Sequence, residues 1–257
     1  PYEGFAADRA GLKIGDQILK INGLDITKMT IEESKQLLNG QAKSEITLTV
    51  KRHNSPAPFD VKLTREKITV KNVPYYGMVN ETIGYMRLTD FTQKAGNEVK
   101  EALLDLKGKG AQKIILDLRG NPGGLLNEAV NICNVFIPQG KEVVTTRGKL
   151  EEWTQLYNTL NLPTDTDIPL AVLINNGSAS ASEIVSGVMQ DYDRGVVIGR
   201  RSYGKGLVQQ TRPLAYNSQL KVTTAKYYIP SGRCIQALDY SNRNPDGSVG
   251  TVPDSLK

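Results

Sequence analysis

The stretch Asn175-Asn-Gly-Ser-Ala-Ser-Ala-Ser-Glu-Ile184 is followed, 25 residues after Ser180, by Gly204-Lys205-Gly206, so a hydroxyl nucleophile and an amine come in one region. A serine hydroxyl is a poor nucleophile unless a group within hydrogen-bond reach takes its proton. Histidine is the usual base, yet the single histidine, His53, sits far upstream in the polar, turn-like stretch Lys51-Arg-His-Asn-Ser-Pro56. The Ser-Lys variant of the same logic therefore fits this chain better than a Ser-His-Asp triad. Composition leaves three candidate nucleophiles, Ser178, Ser180 and Ser182, and Ser182 is also suited to cap the helix that follows.

A lysine base has to be stripped of water. With a reference pKa near 10.4, only about 1 amine in 2,500 is neutral at pH 7. Burial that lowers it to roughly 8 raises this to about 1 in 10. The glycines flanking Lys205 let backbone close around it, and Gln209, four residues on, falls on the same side in a strand or a helix. The competing reading is an ordinary solvated lysine. A third part is the turn Asp117-Leu-Arg-Gly-Asn-Pro-Gly-Gly124. Its glycines free backbone amides to point at a ligand, and the helix beyond adds its positive end, so the turn suits half of an oxyanion hole. It is equally read as a tight strand-to-helix turn.

The elements that must position these groups follow from periodicity. Residues 1–66 form a small unit: Gln17 to Asn22 alternates as a half-buried strand and ends on the hairpin signal Asn22-Gly23. Thr30 and Glu33 form a capping box ahead of a helix with Ile31, Ser34, Leu37 and Leu38 on one face, and strands are expected over 45–50 and 59–63. Residues 67–257 follow a different pattern, opening with a strand-turn connector over 67–82. Strands at 83–88, 113–118, 141–146, 170–175 and 196–199 alternate with helices over 95–107, 125–136 and 182–192. The strands at 113–118 and 170–175 are nearly continuous apolar runs, as when both faces are covered. The pattern is α/β, with ligand chemistry expected at the carboxyl ends of the strands.

The bulk numbers exclude several classes. A length of 257 residues, 39% hydrophobic and 23% charged, suits an ordinary globular chain with room for a substantial core. No apolar run of about 18 residues occurs. The net charge of +5 is spread among 27 acidic residues rather than gathered in a stripe, which argues against nucleic acid as partner. Cys133 and Cys234 lie beside apolar residues and read as buried thiols, and one histidine with two separated cysteines cannot build the usual zinc site. The first residues, Pro1-Tyr-Glu-Gly-Phe5, look like the start of a processed or cut product.

Two resemblances come with these motifs. Ala10-Gly-Leu-x-x-Gly-Asp-x-Ile-Leu-x-Ile-Asn-Gly23 resembles the central strip of a PDZ domain, whose carboxylate-binding loop and peptide-pairing strand would precede residue 1. Over nearly the whole chain, in order, the PDZ-like unit, Ile83-Gly-Tyr-Met-Arg-Leu88, Asp117 to Gly124, Ser178 to Glu183, Tyr203 to Gln209 and Pro230-Ser-Gly-Arg-x-Ile-Gln236 resemble the C-terminal processing peptidases, the tail-specific serine endopeptidases of S41 type. The resemblance implies a crotonase/Clp-protease-like α/β core with a partial PDZ-like α+β domain in front. It implies Ser180 as nucleophile, Lys205 as general base and Gln209 positioning the lysine. The backbone amides of Gly124 and Ala181 would form the oxyanion hole, with Ser178 and Ser182 in support. It further implies proteins or peptides with exposed C-terminal tails as substrates, no metal or organic cofactor, and a cell-envelope or periplasmic location, with a homo-oligomer as a further possibility. Members of the family continue past the turn-rich stretch Asn242 to Gly250 with another core segment. The alternatives are a catalytically silent scaffold on the same fold, or an acyl-CoA enzyme of the related fold, which would not need Ser180 and Lys205.

Overall fold

The computed structural model describes residues 1–216 and 218–252. The chain divides into two compact units, Pro1–Val70 and Lys71–Lys257.

In the first unit, α1 (Ala6–Arg9), β1 (Gln17–Ile21), β2 (Leu24–Asp25), α2 (Ile31–Leu38), β3 (Glu45–Lys51) and β4 (Phe59–Thr64) build a sheet in the order β2-β1-β3-β4. Asn22 and Gly23 both take positive φ, 49° and 82°, the conformation that a two-residue hairpin turn demands. Thr30 caps α2 as expected: its amide donates to Glu33 Oε2 at 2.8 Å, and its Oγ1 accepts from the Glu33 amide at 3.3 Å. Alternation in β3 buries Ile46, Leu48 and Val50 against Ile21 and Val61, forming the small core. Leu37 packs on that core, whereas Ile31, expected on the same face, is exposed. Arg52 holds the turn before β1 through a two-pronged contact, both nitrogens donating to Asp16 at 2.7 Å. His53 lies in an exposed turn of this unit.

The second unit begins with β5 (Tyr75–Met78), the strand of the expected strand-turn stretch over 67–82 and here an edge strand of the sheet, and β6 (Ile83–Arg87). There follow α3 (Ala95–Gly108), β7 (Lys113–Asp117), α4 (Leu126–Phe136), β8 (Glu142–Gly148), β9 (Gln155–Asn158), β10 (Leu170–Ile174), α5 (Ala181–Asp191) and β11 (Val196–Gly199). One sheet runs β11-β10-β7-β6-β5, parallel except for the β5–β6 hairpin. Parallel neighbours separated by a helix are what the apolar runs 113–118 and 170–175 require. The stripes Val99, Ala102, Leu103 and Leu106 of α3 and Ala129, Ile132, Cys133 and Phe136 of α4 are buried with Leu116 and Val172 in one core. Helices α3 and α4 approach so closely that a Cβ on Gly96 would lie 2.6 Å from Asn131 Cβ.

A second, antiparallel sheet runs β12-β13-β8-β9, with β12 (Leu207–Pro213) and β13 (Gln219–Tyr228) forming a long hairpin that periodicity did not announce. The stretch expected to be turn-rich, 242–250, contributes to the hairpin β14 (Leu238–Arg243) and β15 (Val249–Thr251), closed by a tight Asn244-to-Gly247 turn. Among the described residues no helix is long and apolar enough to cross a membrane.

Candidate active site

Strands β7 and β10 are parallel neighbours, and their register pairs Leu173 with Asp117, so both end at the same rim of the sheet. The turns that leave them therefore lie side by side, and buried polar groups sew them together. Asn175 Oδ1 accepts from the Gly120 amide at 2.8 Å and from the Gly177 amide at 3.0 Å. The Ser178 hydroxyl, fully buried, donates to the Leu118 carbonyl at 2.8 Å. The Ala179 amide donates to the Asn121 carbonyl at 3.0 Å, and the Ser182 hydroxyl donates to the same carbonyl at 3.0 Å. Ser182 is thus not the cap expected of it: α5 starts at Ala181, Ser180 occupies the cap position, and Ser182 points inward. Asn121, also fully buried, locks its own turn by donating to the Leu88 carbonyl at 2.9 Å and accepting from the Gly123 amide at 2.9 Å.

Ser180 itself has φ 55° and ψ −113°, a backbone that a residue with a Cβ rarely adopts and that costs about 1–3 kcal/mol. The surrounding bonds over-determine it. Gly123 is the close neighbour: a Cβ there, at φ +92°, would lie 2.6 Å from the Ala179 carbonyl oxygen, 2.8 Å from the Ala181 nitrogen and 2.8 Å from Ser180 Cβ. Ala181 is the first residue of α5, so its amide has no partner within the helix. Gly124 pairs with Phe91 in an isolated bridge, where the Leu125 amide donates to Phe91. Among the described residues the amides of Gly124 and Ala181 donate no hydrogen bond, so both are open to an acceptor on a bound molecule.

Glu183, which closes the serine motif, is buried in the first turn of α5. Its carboxylate accepts three backbone amides: Ser180 at 2.8 Å, Gly204 at 2.6 Å and Lys205 at 2.8 Å. The signal was present in Ser180-Ala-Ser-Glu183, the spacing of a capping box. The carboxylate joins the nucleophile's turn to the segment carrying the amine. Glu183 meets Ser180 and Lys205 through their backbones, and among the described residues no hydrogen bond joins the Ser180 hydroxyl to the Lys205 amine. Lys205 is exposed and not enclosed as its glycine flanks suggested, because only its backbone is gripped. Lys205 and Gln209 line one cleft of about 400 Å³ with Tyr203, Leu207, Leu238 and Tyr240; Ser180 does not line it. Gln209 follows a bulge after Val208 and is exposed.

Beneath the first turn, Asp117 is buried and takes Nε and Nη2 of Arg119 at 2.9 and 2.7 Å, and the Tyr85 hydroxyl at 2.7 Å. Burial alone would raise the Asp117 carboxyl, but the Arg119 guanidinium, the Tyr85 hydroxyl and the Arg119 amide outweigh it and hold it below the usual carboxylate range. Burial and the Asp117 carboxylate in turn push the Tyr85 phenol up. Cys133 is fully buried, with a thiol pushed up by burial, and Cys234 is half-buried; both are free. Among the described residues no three His, Cys, Asp or Glu side chains converge as a ligand set.

A strand-to-helix serine turn, an abutting glycine turn and a tethered lysine segment thus come together on one α/β core. Residues 82–246 match the model of peptidase family S41, and residues 1–52 match that of the PDZ domain. The chain belongs to peptidase family S41. It is 41% identical over 242 residues to the carboxy-terminal-processing protease of Bartonella bacilliformis, covering 93% of this chain and 55% of that protein. It is 39% identical over 252 residues to a Staphylococcus aureus protein named "Probable CtpA-like serine protease", covering 98% of this chain and 49% of that one. Among solved structures it resembles the photosystem II D1 C-terminal processing protease, with a TM-score of 0.59 and 29% identity over 92% of this chain and 64% of that one. The chain spans about half the length of these curated relatives.

Proposed function

We propose that this chain carries the catalytic centre of a serine endopeptidase that cuts proteins near their C-termini. The observation that carries the reading is Glu183, whose one carboxylate ties the backbone of Ser180 to that of Lys205. In the attacking geometry the Lys205 side chain swings from solvent to the Ser180 hydroxyl, with Gln209 orienting the amine. Neutral Lys205 takes the hydroxyl proton while Ser180 Oγ bonds to the peptide carbonyl carbon. The carbonyl oxygen becomes an oxyanion held by the amides of Gly124 and Ala181. The resulting lysine ammonium gives its proton to the leaving nitrogen as the peptide bond breaks, leaving an acyl-serine. Water, losing a proton to the same amine, attacks the ester, and Ser180 leaves with that proton. Every step uses side chains and amides of the chain itself.

The PDZ unit takes up substrate tails in this reading, supported by its family match and by the relatives' names. A cell-envelope location goes with it, resting on the resemblance to tail-specific peptidases.

The test is cleavage of an unfolded protein with an apolar C-terminal tail, at pH 7 to 9, by the full natural chain and by Ser180→Ala and Lys205→Ala. Both variants are expected to lose cleavage by about 10³-fold or more, and fluorophosphonate labelling is expected to vanish in Ser180→Ala. Cleavage that survives in both would remove the mechanism. A parent that neither cuts nor takes the label would favour a silent scaffold on this fold.

A further inference from the structure

The lysine segment is gripped from two sides, and Glu183 is only one of them. The other is Gln236, which ends Pro230-Ser-Gly-Arg-Cys-Ile-Gln236 and is 5% exposed. Its Oε1 accepts from the Gly206 amide at 2.8 Å, and its Nε2 donates to the Leu238 carbonyl at 3.2 Å. Both ends of the amide are used, so the side chain has one orientation. The Ala237 amide adds a bond to the Gly204 carbonyl at 3.0 Å. The glycines around Lys205 owe their identity to this contact. A Cβ on Gly206 would lie 2.4 Å from the Gln236 nitrogen, and one on Gly204, at φ +85°, 2.2 Å from Ala237 Cβ.

The amides of 204 and 205 thus end on Glu183, and that of 206 ends on Gln236. We infer that Gln236 is a positioning residue for the Ser-Lys reaction, setting through the Gly206 amide the height and direction from which the Lys205 amine approaches Ser180. The inference rests on the reading of Lys205 as base. Gln236 holds backbone and leaves the lysine side chain free to turn, so it fixes the pivot and not the amine. It also lines the cleft that Lys205 and Gln209 share, on the wall continuing into β14. A change of charge at 236 is therefore felt by the amine as well as by the backbone.

Two substitutions separate positioning from mere packing. Gln236→Met keeps the length and removes both hydrogen bonds. Gln236→Glu keeps an acceptor for the Gly206 amide, loses the donor to Leu238, and adds a negative charge that favours the ammonium form of a nearby amine. Both are compared with the full natural chain and with Lys205→Ala for kcat, KM and the pH dependence of kcat, per folded molecule as counted by thermal melting. The expected result for Gln236→Met is a kcat at least tenfold down with KM within threefold. For Gln236→Glu a larger share of kcat should survive, with the rising limb of the pH profile displaced to higher pH. The inference is overturned if folded Gln236→Met keeps kcat within threefold of the parent, or if the Gln236→Glu limb stays in place. Should Gln236→Met not fold, the Gln236→Glu limb decides alone. Lys205→Ala guards the premise: if it keeps both cleavage and the limb, the Ser-Lys reading fails. If it is inactive while Gln236→Met is normal, only the role of Gln236 fails.

Discussion

The serine half of the site and the lysine half are built by different means. Around Ser180 the side chains of Asn121, Asn175, Ser178 and Ser182 are turned into backbone hydrogen bonds between two strand-to-helix turns, and the strained φ of 55° is held from several directions. Around Lys205 the backbone alone is fixed, by Glu183 and Gln236, and the side chain is exposed. The first half is rigid before any substrate arrives, and in the proposed mechanism it would need no rearrangement to hold an oxyanion. The second is a pivot with a free arm. In the proposed mechanism, such a division would let activity be gated by the cheap motion of one side chain, without dismantling the costly part of the site.

Cutting the tie between the halves should have the largest effect. Glu183→Ala leaves the amides of Ser180, Gly204 and Lys205 without their acceptor. An expected cost is roughly 2–4 kcal/mol of stability, with kcat down about 100-fold in the folded protein. Denaturant unfolding and single-turnover cleavage read the two separately. If kcat falls no further than the folded fraction does, Glu183 is only a strut.

A smaller effect should come from the serine half alone. Gly123→Ala places a Cβ against the Ala179 carbonyl and the Ala181 nitrogen at φ +92°, and should cost about 2–3 kcal/mol with kcat down at least tenfold. Gly120→Ala is its control in the same turn: φ is +74°, but nothing lies within 4 Å, so the expected cost is about 1 kcal/mol with kcat unchanged. Equal losses of kcat in the two would mean that the close approach at Gly123 is not what shapes the glycine turn for catalysis.

Legibility in the sequence divides along the same line. The serine half was readable because it depends on local patterns: apolar runs that make buried parallel strands, glycines at the turn after β7, and small residues before α5. Parallel register then brings the two turns together. Local reading failed where one residue has two local uses, as with Ser182, a good cap that here is claimed by the Asn121 carbonyl. It also failed for the lysine half, whose glycines suggested that backbone closes over the amine. They serve instead to let 204–206 pass against 236–237, a meeting of segments 30 residues apart in sequence that no periodicity announces. The hairpin of β12 and β13 has little local signature because β12 is mostly exposed, with Leu207 and Val208 adjacent and four polar residues after them, and β13 alternates only over its first half.

The smallest effect is a pH dependence that distinguishes the halves without touching Ser180 or Lys205. Asp117 sits under the glycine turn with its carboxyl held below the ordinary carboxylate value, against burial, by Arg119 and Tyr85. A carboxyl depressed in the folded state adds stability that is fully present above its unfolded pKa, near 3.9, and is lost as pH falls through the folded value. In the parent, the stabilisation due to this group should therefore be intact at neutral pH and disappear below about pH 4. Asp117→Asn removes the titrating group, so its denaturation midpoint should fall less steeply as the pH drops below about 4, while starting lower at pH 7 because Arg119 has lost its anion. Denaturant midpoints of the two proteins measured across that range decide it. Parallel curves would mean that the acid sensitivity of the core comes from carboxylates elsewhere, and that the floor of the serine half is held by shape and not by this charge.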